Sequence, residues 1–241
     1  MTDLDEKADD LRAEEQLPGL GLRLVTSILA LGSFALVLFW PAGRLDWVLG
    51  WAYLGLFAVS LFVGYQYLKR VNPAVIVARM RKPGPGTPTW DKVWLGVFAI
   101  LFLGIYVVAG LDARYGWSSV PLWCWGLGLA LFVPGYAAVV WAMGANPFFE
   151  KTVRIQKDRG HRVIDTGPYA IVRHPGYASF VPLFGSTPLL LGSWWAFAPL
   201  AACLISVVVR TALEDRTLQR GLPGYADYAK RVRYRLLPGI W

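Results

Sequence analysis

Tyr177-Ala178-Ser179-Phe180-Val181-Pro182-Leu183-Phe184-Gly185-Ser186-Thr187-Pro188-Leu189-Leu190-Leu191-Gly192-Ser193-Trp194-Trp195-Ala196 opens an apolar run that continues to Val209 without a charged side chain. One helix of that length would measure about 50 Å, whereas the hydrocarbon of a bilayer is about 30 Å thick. Leu191-Gly192-Ser193 offers a break, and Pro188 and Pro199 weaken a continuous helix. The run therefore predicts a helical hairpin with arms at residues 177–191 and 194–209. The first arm is short for a full crossing.

Upstream, residues 24–40, 47–68, 93–111 and 122–143 are four further apolar stretches. The short link 41–46 folds the first two into a hairpin. Gln66 is the only amide or charged residue inside the five stretches. They are apolar all round, which lipid tolerates and water does not. Composition agrees: 56% of residues are hydrophobic and 17% charged, against a usual charged share of about 25%. The expected fold class is all-α, a polytopic transmembrane helix bundle. It has four spans plus the C-terminal hairpin, so five or six crossings.

Lys and Arg orient such a bundle. Arg44 and Arg114 stand in poor links, whereas Arg79, Arg81, Lys82, Lys92, Lys151, Arg154 and Arg173 crowd the alternate ones. The end after residue 209 is also basic. This alternation places both termini in the cytoplasm of a multi-pass protein, expected in the cell (inner) membrane. The net charge of +8 then reflects orientation and affinity for anionic headgroups, and no nucleic-acid partner is expected. Cys124 and Cys203 lie inside apolar stretches and pack as small apolar residues. Residues 1–16 are polar and acidic and lack the basic start of a cleaved signal. They read as part of a flexible tail at 1–20. Residues 72–88 carry four prolines and read as a loop with one interfacial turn at 74–80. The segment after Gly221 reads as a turn and an amphipathic interfacial helix, with Tyr225, Tyr228, Val232 and Leu236 on one face.

The chemistry is concentrated in residues 146–177, which hold both histidines, His161 and His174. A plain reading makes Arg173 a cationic anchor and Tyr177 a belt aromatic. The histidines have no cysteine beside them, so no metal is expected. Arg210 and Glu214, four apart, share a helix face. Their plain reading is a surface ion pair. The functional reading has Arg210 bind an anionic group while Glu214 binds a hydroxyl or a cation.

Gly167-Pro168-Tyr169, Arg173-His174-Pro175-Gly176-Tyr177, Arg210 with Glu214-Asp215, and Gly224-Tyr225-x-x-Tyr228 with Pro238 together resemble the isoprenylcysteine carboxyl methyltransferase family. That family is related to the phospholipid methyltransferases. The likeness covers residues 146–241. It implies S-adenosyl-L-methionine as cofactor, in a cytoplasmic pocket built by the last two helices and the loop before them. It implies that Gln156, His161, Arg162, Val163, Ile164, Tyr169, His174, Pro175, Gly176, Tyr177 and Glu214 line the cofactor. Arg210 is the implied catalytic and substrate-binding residue. The domains expected are the tail at 1–20, a four-helix frame at 21–145 and the methyltransferase core at 146–241.

Physical chemistry is compatible with this. Methyl transfer from a sulfonium is an in-line displacement governed by positioning. A carboxylate nucleophile is ionised at pH 7, and an arginine can hold it bidentately. Tyr169 and Tyr177 suit the adenine or the sulfonium, the latter by cation–π attraction. The acceptor is a lipophilic small molecule or lipid, with carboxylate, thiol and amine left open. Two other classes stay open: an NADPH-dependent membrane sterol or isoprenoid reductase, and a transport or scaffold protein. The second predicts polar residues inside the spans, which are sparse.

Overall fold

Helices start and stop close to where the apolar stretches do. A computed structural model describes residues 19–80, 84 and 86–241. The acidic segment 1–16 and Arg81, Lys82, Pro83 and Pro85 lie outside the described residues. We label the helices α1 (Leu20–Ala42), α2 (Val48–Val71), α3 (Pro73–Met80), α4 (Thr89–Tyr115), α5 (Trp123–Ala145), α6 (Pro175–Ala178), α7 (Phe180–Leu191), α8 (Phe197–Gly221) and α9 (Tyr225–Arg231). Five of them, α1, α2, α4, α5 and α8, are long and apolar enough to cross a membrane. Ile28, Phe62, Ile100 and Ile205 on these helices are 65–73% exposed. Side chains of that kind on an outer surface suit lipid, not water.

The hairpin breaks at Gly192, whose φ of +72° is the left-handed conformation glycine adopts without strain. Pro188 sits in the last turn of α7, and Pro199 in the first turn of α8, where its missing N–H costs nothing. α7 has only 12 residues, about 18 Å of helix, yet the hairpin reaches the far end of the bundle. Ser193 donates a hydrogen bond to the buried carboxylate of Asp112, at the far end of α4. The backbone N–H of Trp194 donates to the Ser118 hydroxyl. The described N- and C-terminal ends accordingly lie at the same end of the bundle.

α7 can descend so close to α5 because α5 presents glycines to it. A Cβ on Gly135 would fall 2.7 Å from the backbone nitrogen of Leu183, and one on Gly128 would fall 2.8 Å from Leu190 Cγ. Small residues let helix backbones approach in lipid, where packing replaces the hydrophobic drive. Gly135→Ala should therefore destabilise the protein by about 1–3 kcal/mol through overpacking. Gly185→Ala, where a Cβ meets nothing within 4 Å, should not. Thermal unfolding of both variants in detergent checks the contrast, and equal midpoints would remove it.

α8 runs on well past residue 209 as one continuous helix to Gly221. It carries Arg210, Glu214 and Asp215 out of the apolar zone toward the basic loops. The end after Gly221 differs from expectation. α9 stops at Arg231, so Val232 and Leu236 are not on it. Tyr225 and Tyr228 are buried against protein, with Ile155, Val163 and Leu218 packed around them, and do not face lipid. The reason lies in the residues they meet in the candidate site.

Candidate active site

The three arginines deepest in this end of the molecule each meet an acid. Arg210, 5% exposed, approaches Asp91 Oδ1 to 3.0 Å and donates from Nη2 to the Lys151 carbonyl at 2.7 Å. Its guanidinium lies 4.1 Å from the centre of the Trp94 ring and 5.6 Å from that of Tyr177. Both are within cation–π reach. Asp91, wholly buried in the first turn of α4, also accepts the Val153 N–H at 2.8 Å. Arg210 Nε is left without a hydrogen-bond partner. The surface ion pair of the plain reading does not form between Arg210 and Glu214. Glu214 instead accepts the Tyr177 hydroxyl at 2.6 Å.

One turn of sequence away, Asp215 ties a knot. Its Oδ1 accepts from Arg173 Nε (2.8 Å) and the Tyr225 hydroxyl (3.1 Å), with His174 Nε2 at 3.3 Å. Its Oδ2 accepts from Arg173 Nη2 (3.0 Å), Gln219 (2.8 Å) and Arg235 Nε (2.9 Å). Arg173 Nη1 reaches the carbonyls of Val232 and Arg233. The backbone N–H groups of Arg173 and His174 donate to the Tyr234 and Arg235 carbonyls. The Tyr228 hydroxyl donates to the Tyr169 carbonyl at 2.7 Å. Arg173 is thus no cationic anchor at a lipid boundary. It is the buried centre that clamps the C-terminal segment under the site.

The loop between α5 and α6 closes on its own charges. Arg154 forks onto both oxygens of Glu150 at 2.8 Å and reaches Asp158 at 2.7 Å. Those hydrogen bonds hold its pKa above the ordinary arginine value. Gln156, 2% exposed, donates to the Phe148 carbonyl and accepts from Arg159. Its backbone N–H donates to His161 Nδ1 at 3.2 Å. Burial pulls His161 down from 6.5 to about 4. The ring is neutral at pH 7, and the accepting Nδ1 leaves its proton on Nε2.

These elements enclose a cavity of about 300 Å³. Of the residues implied by the family likeness, Gln156, His161, Arg162, Val163, Ile164, Tyr169, His174, Gly176, Tyr177, Arg210 and Glu214 line it. Pro175 does not. It is the first residue of α6 and shapes the entry into the hairpin. Gly176 leaves room for Phe149, since a Cβ there would come within 2.6 Å of that ring. Tyr169 spends its hydroxyl on Asn146 and the Ala142 carbonyl, so it offers a ring rather than a free donor.

The cavity is not built by residues 146–241 alone. Arg79 from α3, Trp94, Leu95 and Phe98 from α4, and Val139 and Met143 from α5 join its wall. The sequence reading missed Asp91, Trp94 and Phe98 as site residues. Trp94 and Phe98, four apart and stacked at 4.5 Å, carried the one available signal, a ladder of aromatics on one helix face. Asp91 had none, because its partner is more than a hundred residues away. Among the described residues, no group of three or more His, Cys, Asp or Glu side chains gathers to hold a metal ion.

No curated protein matches the chain. Among solved structures, one of the eukaryotic intramembrane Ras methyltransferase ICMT (isoprenylcysteine carboxyl methyltransferase) aligns with a TM-score of 0.47 at 14% identity. It covers 98% of this chain and 93% of that one. Residues 128–220, from α5 through nearly the whole of α8, match the isoprenylcysteine carboxyl methyltransferase (ICMT) family. That segment supplies Gln156, His174, Tyr177, Arg210 and Glu214 to the cavity wall, so the stretch of the chain that is similar to this methyltransferase family is also the one that builds most of the site.

Proposed function

We propose that the methyl donor is S-adenosylmethionine and that the acceptor is a lipophilic carboxylate of the prenylcysteine kind. One observation carries the reading: a single cavity whose wall is of two chemical kinds. One kind is polar, with Gln156, His161, Glu214 and Arg210; the other is aromatic and apolar, with Trp94, Phe98 and Phe180 on helices of the bundle. A charged nucleoside fits the first and an isoprenoid or acyl chain entering from lipid fits the second. The volume lies at the lower end of the range for small-molecule sites, about 300–1,000 Å³. The donor set fits as well, because Glu214 can take ribose hydroxyls or the donor's amino group beside its bond to Tyr177.

When bound, S-adenosylmethionine supplies an electrophilic methyl group: the carboxylate oxygen forms the ester bond as the C–S bond breaks, and no proton has to move. The protein's task is therefore alignment and exclusion of water. Arg210 orients the acceptor carboxylate with its unpaired Nε–H. Trp94 and Tyr177 hold the guanidinium from its faces. The ring of Tyr177, beside Glu214, walls the reacting region. The basic loops at the cavity end support a cytoplasmic placement of that end.

Titration of the detergent-purified protein with S-adenosylhomocysteine tests the reading. Wild type should bind it at micromolar level, and Glu214→Gln should bind about tenfold or more weakly, the loss of one charge-assisted contact. NADPH should not compete. Competition by NADPH, or no binding of S-adenosylhomocysteine by wild type, would sink the proposal.

A further inference from the structure

Arg79 is the cavity's other partly buried guanidinium, and no acid described neutralises it. It projects from the last turn of α3, an eight-residue helix. That helix is fixed to the bundle by Asn72, whose amide donates to the Met143 carbonyl at 2.9 Å while its oxygen accepts the Val75 N–H. Arg79 accordingly lines the cavity from a helix anchored to the bundle. Its one described contact is the Phe149 ring, 5.5 Å from the guanidinium carbon. Every other deep cation in the wall has an acid partner: Arg154 has Glu150, Arg173 has Asp215 and Arg210 has Asp91. Lys151 and Arg162, the remaining two, are exposed.

An interfacial arginine without a partner ordinarily extends to water. Burying one is costly unless an anion compensates, and a cation–π contact returns only part of that cost. Burial lowers the Arg79 pKa, and the like charge of Arg210 lowers it further, with the Tyr177 phenol opposing. Arg79 and Arg210 thus face the same cavity, and the acids that line it hydrogen-bond to other groups. Glu150 serves Arg154, and Glu214 takes the Tyr177 hydroxyl. Neither carboxylate pairs with Arg79.

We infer that Arg79 is a carboxylate receptor of this cavity, alongside Arg210 and supplied from outside the family-matched segment. The inference rests on the function proposed above, which offers two carboxylates: the acceptor's reacting group and the methionyl carboxylate of the donor. Two titrations separate them, using wild type, Arg79→Gln and Arg79→Lys. S-adenosylhomocysteine keeps the donor's carboxylate, and methylthioadenosine lacks it. N-acetyl-S-farnesylcysteine presents an acceptor carboxylate. If Arg79 holds the donor, Arg79→Gln weakens S-adenosylhomocysteine about 10- to 100-fold and leaves methylthioadenosine unchanged. If it holds the acceptor, the farnesylcysteine affinity falls by that factor and S-adenosylhomocysteine is unaffected. Arg79→Lys recovers part of either loss, and it reads the same two affinities if the glutamine variant does not fold. Wild-type protein that binds both probes, with variants that bind them equally well, overturns the inference alone. Wild type that binds neither removes the function and the inference together.

Discussion

Asp215→Asn is expected to lower the thermal midpoint by about 10 °C. The carboxylate is wholly buried and accepts from Arg173, Tyr225, Gln219 and Arg235, with His174 beside it. Asparagine keeps the shape but has one acceptor oxygen and no charge. Its amide nitrogen would point a donor at donors. Arg173, 5% exposed, is then a buried cation without its anion. Breaking a buried pair from one side costs about 3–5 kcal/mol, and each kcal/mol moves the midpoint of a chain this size by about 2–4 °C. The contrast lies in Arg235→Met. Arg235 is 30% exposed, and its loss removes only one of several donors. That variant should cost about 1 kcal/mol or less. Protease cleavage after Gly221 should rise in Asp215→Asn, because Arg173 and Asp215 together pin the residues that follow. A midpoint within about 2 °C of wild type in Asp215→Asn would show that the knot is ornamental.

The spans were legible because lipid imposes a condition on every face of a helix at once, so a charge-free stretch announces itself without knowledge of its neighbours. The break at Gly192 was legible for a local reason as well: a glycine between two long apolar arms. What escaped the sequence depends on distant partners. A count of basic residues treats Arg173 as a boundary anchor and Arg79 as one more cytoplasmic charge. Their surroundings come from Asp215 and from Phe149, forty and seventy residues away. Periodicity pairs Arg210 with Glu214, since four residues make one helix turn. The fold separates them because Asp91 and Tyr177 approach from other elements. The tyrosines of α9 read as an interfacial face for a similar reason. Amphipathicity records that a face is covered, and here protein covers it. Pro175 illustrates the limit of motif transfer, since it serves the chain's direction and not the cavity wall.

Arg210→Gln is expected to reduce kcat/KM for a lipophilic carboxylate about 100-fold while leaving S-adenosylhomocysteine affinity within about twofold of wild type. The magnitude follows from losing charge-assisted hydrogen bonds of about 1.5–3 kcal/mol, each tenfold in rate being about 1.4 kcal/mol. How the loss divides between KM and kcat is set by charge. The acceptor carboxylate begins anionic and ends as a neutral ester. An arginine that grips it with a full positive charge stabilises the reactant more than the transition state and slows the transfer. Asp91, 3.0 Å from the guanidinium, offsets part of that charge. It thereby keeps the fork's geometry without the whole of its pull. The loss in Arg210→Gln should therefore fall mainly on KM. Asp91→Asn should do the reverse: with Arg210 uncompensated, acceptor KM falls or holds while kcat drops. Asp91 is on this view a positioning residue acting through Arg210, and a purely structural role would lower stability without splitting the two constants in opposite directions. Steady-state kinetics of both variants, with the unfolding midpoint measured alongside, decide the matter. Parallel losses in KM and kcat for Asp91→Asn would leave Asp91 as a packing residue and nothing more.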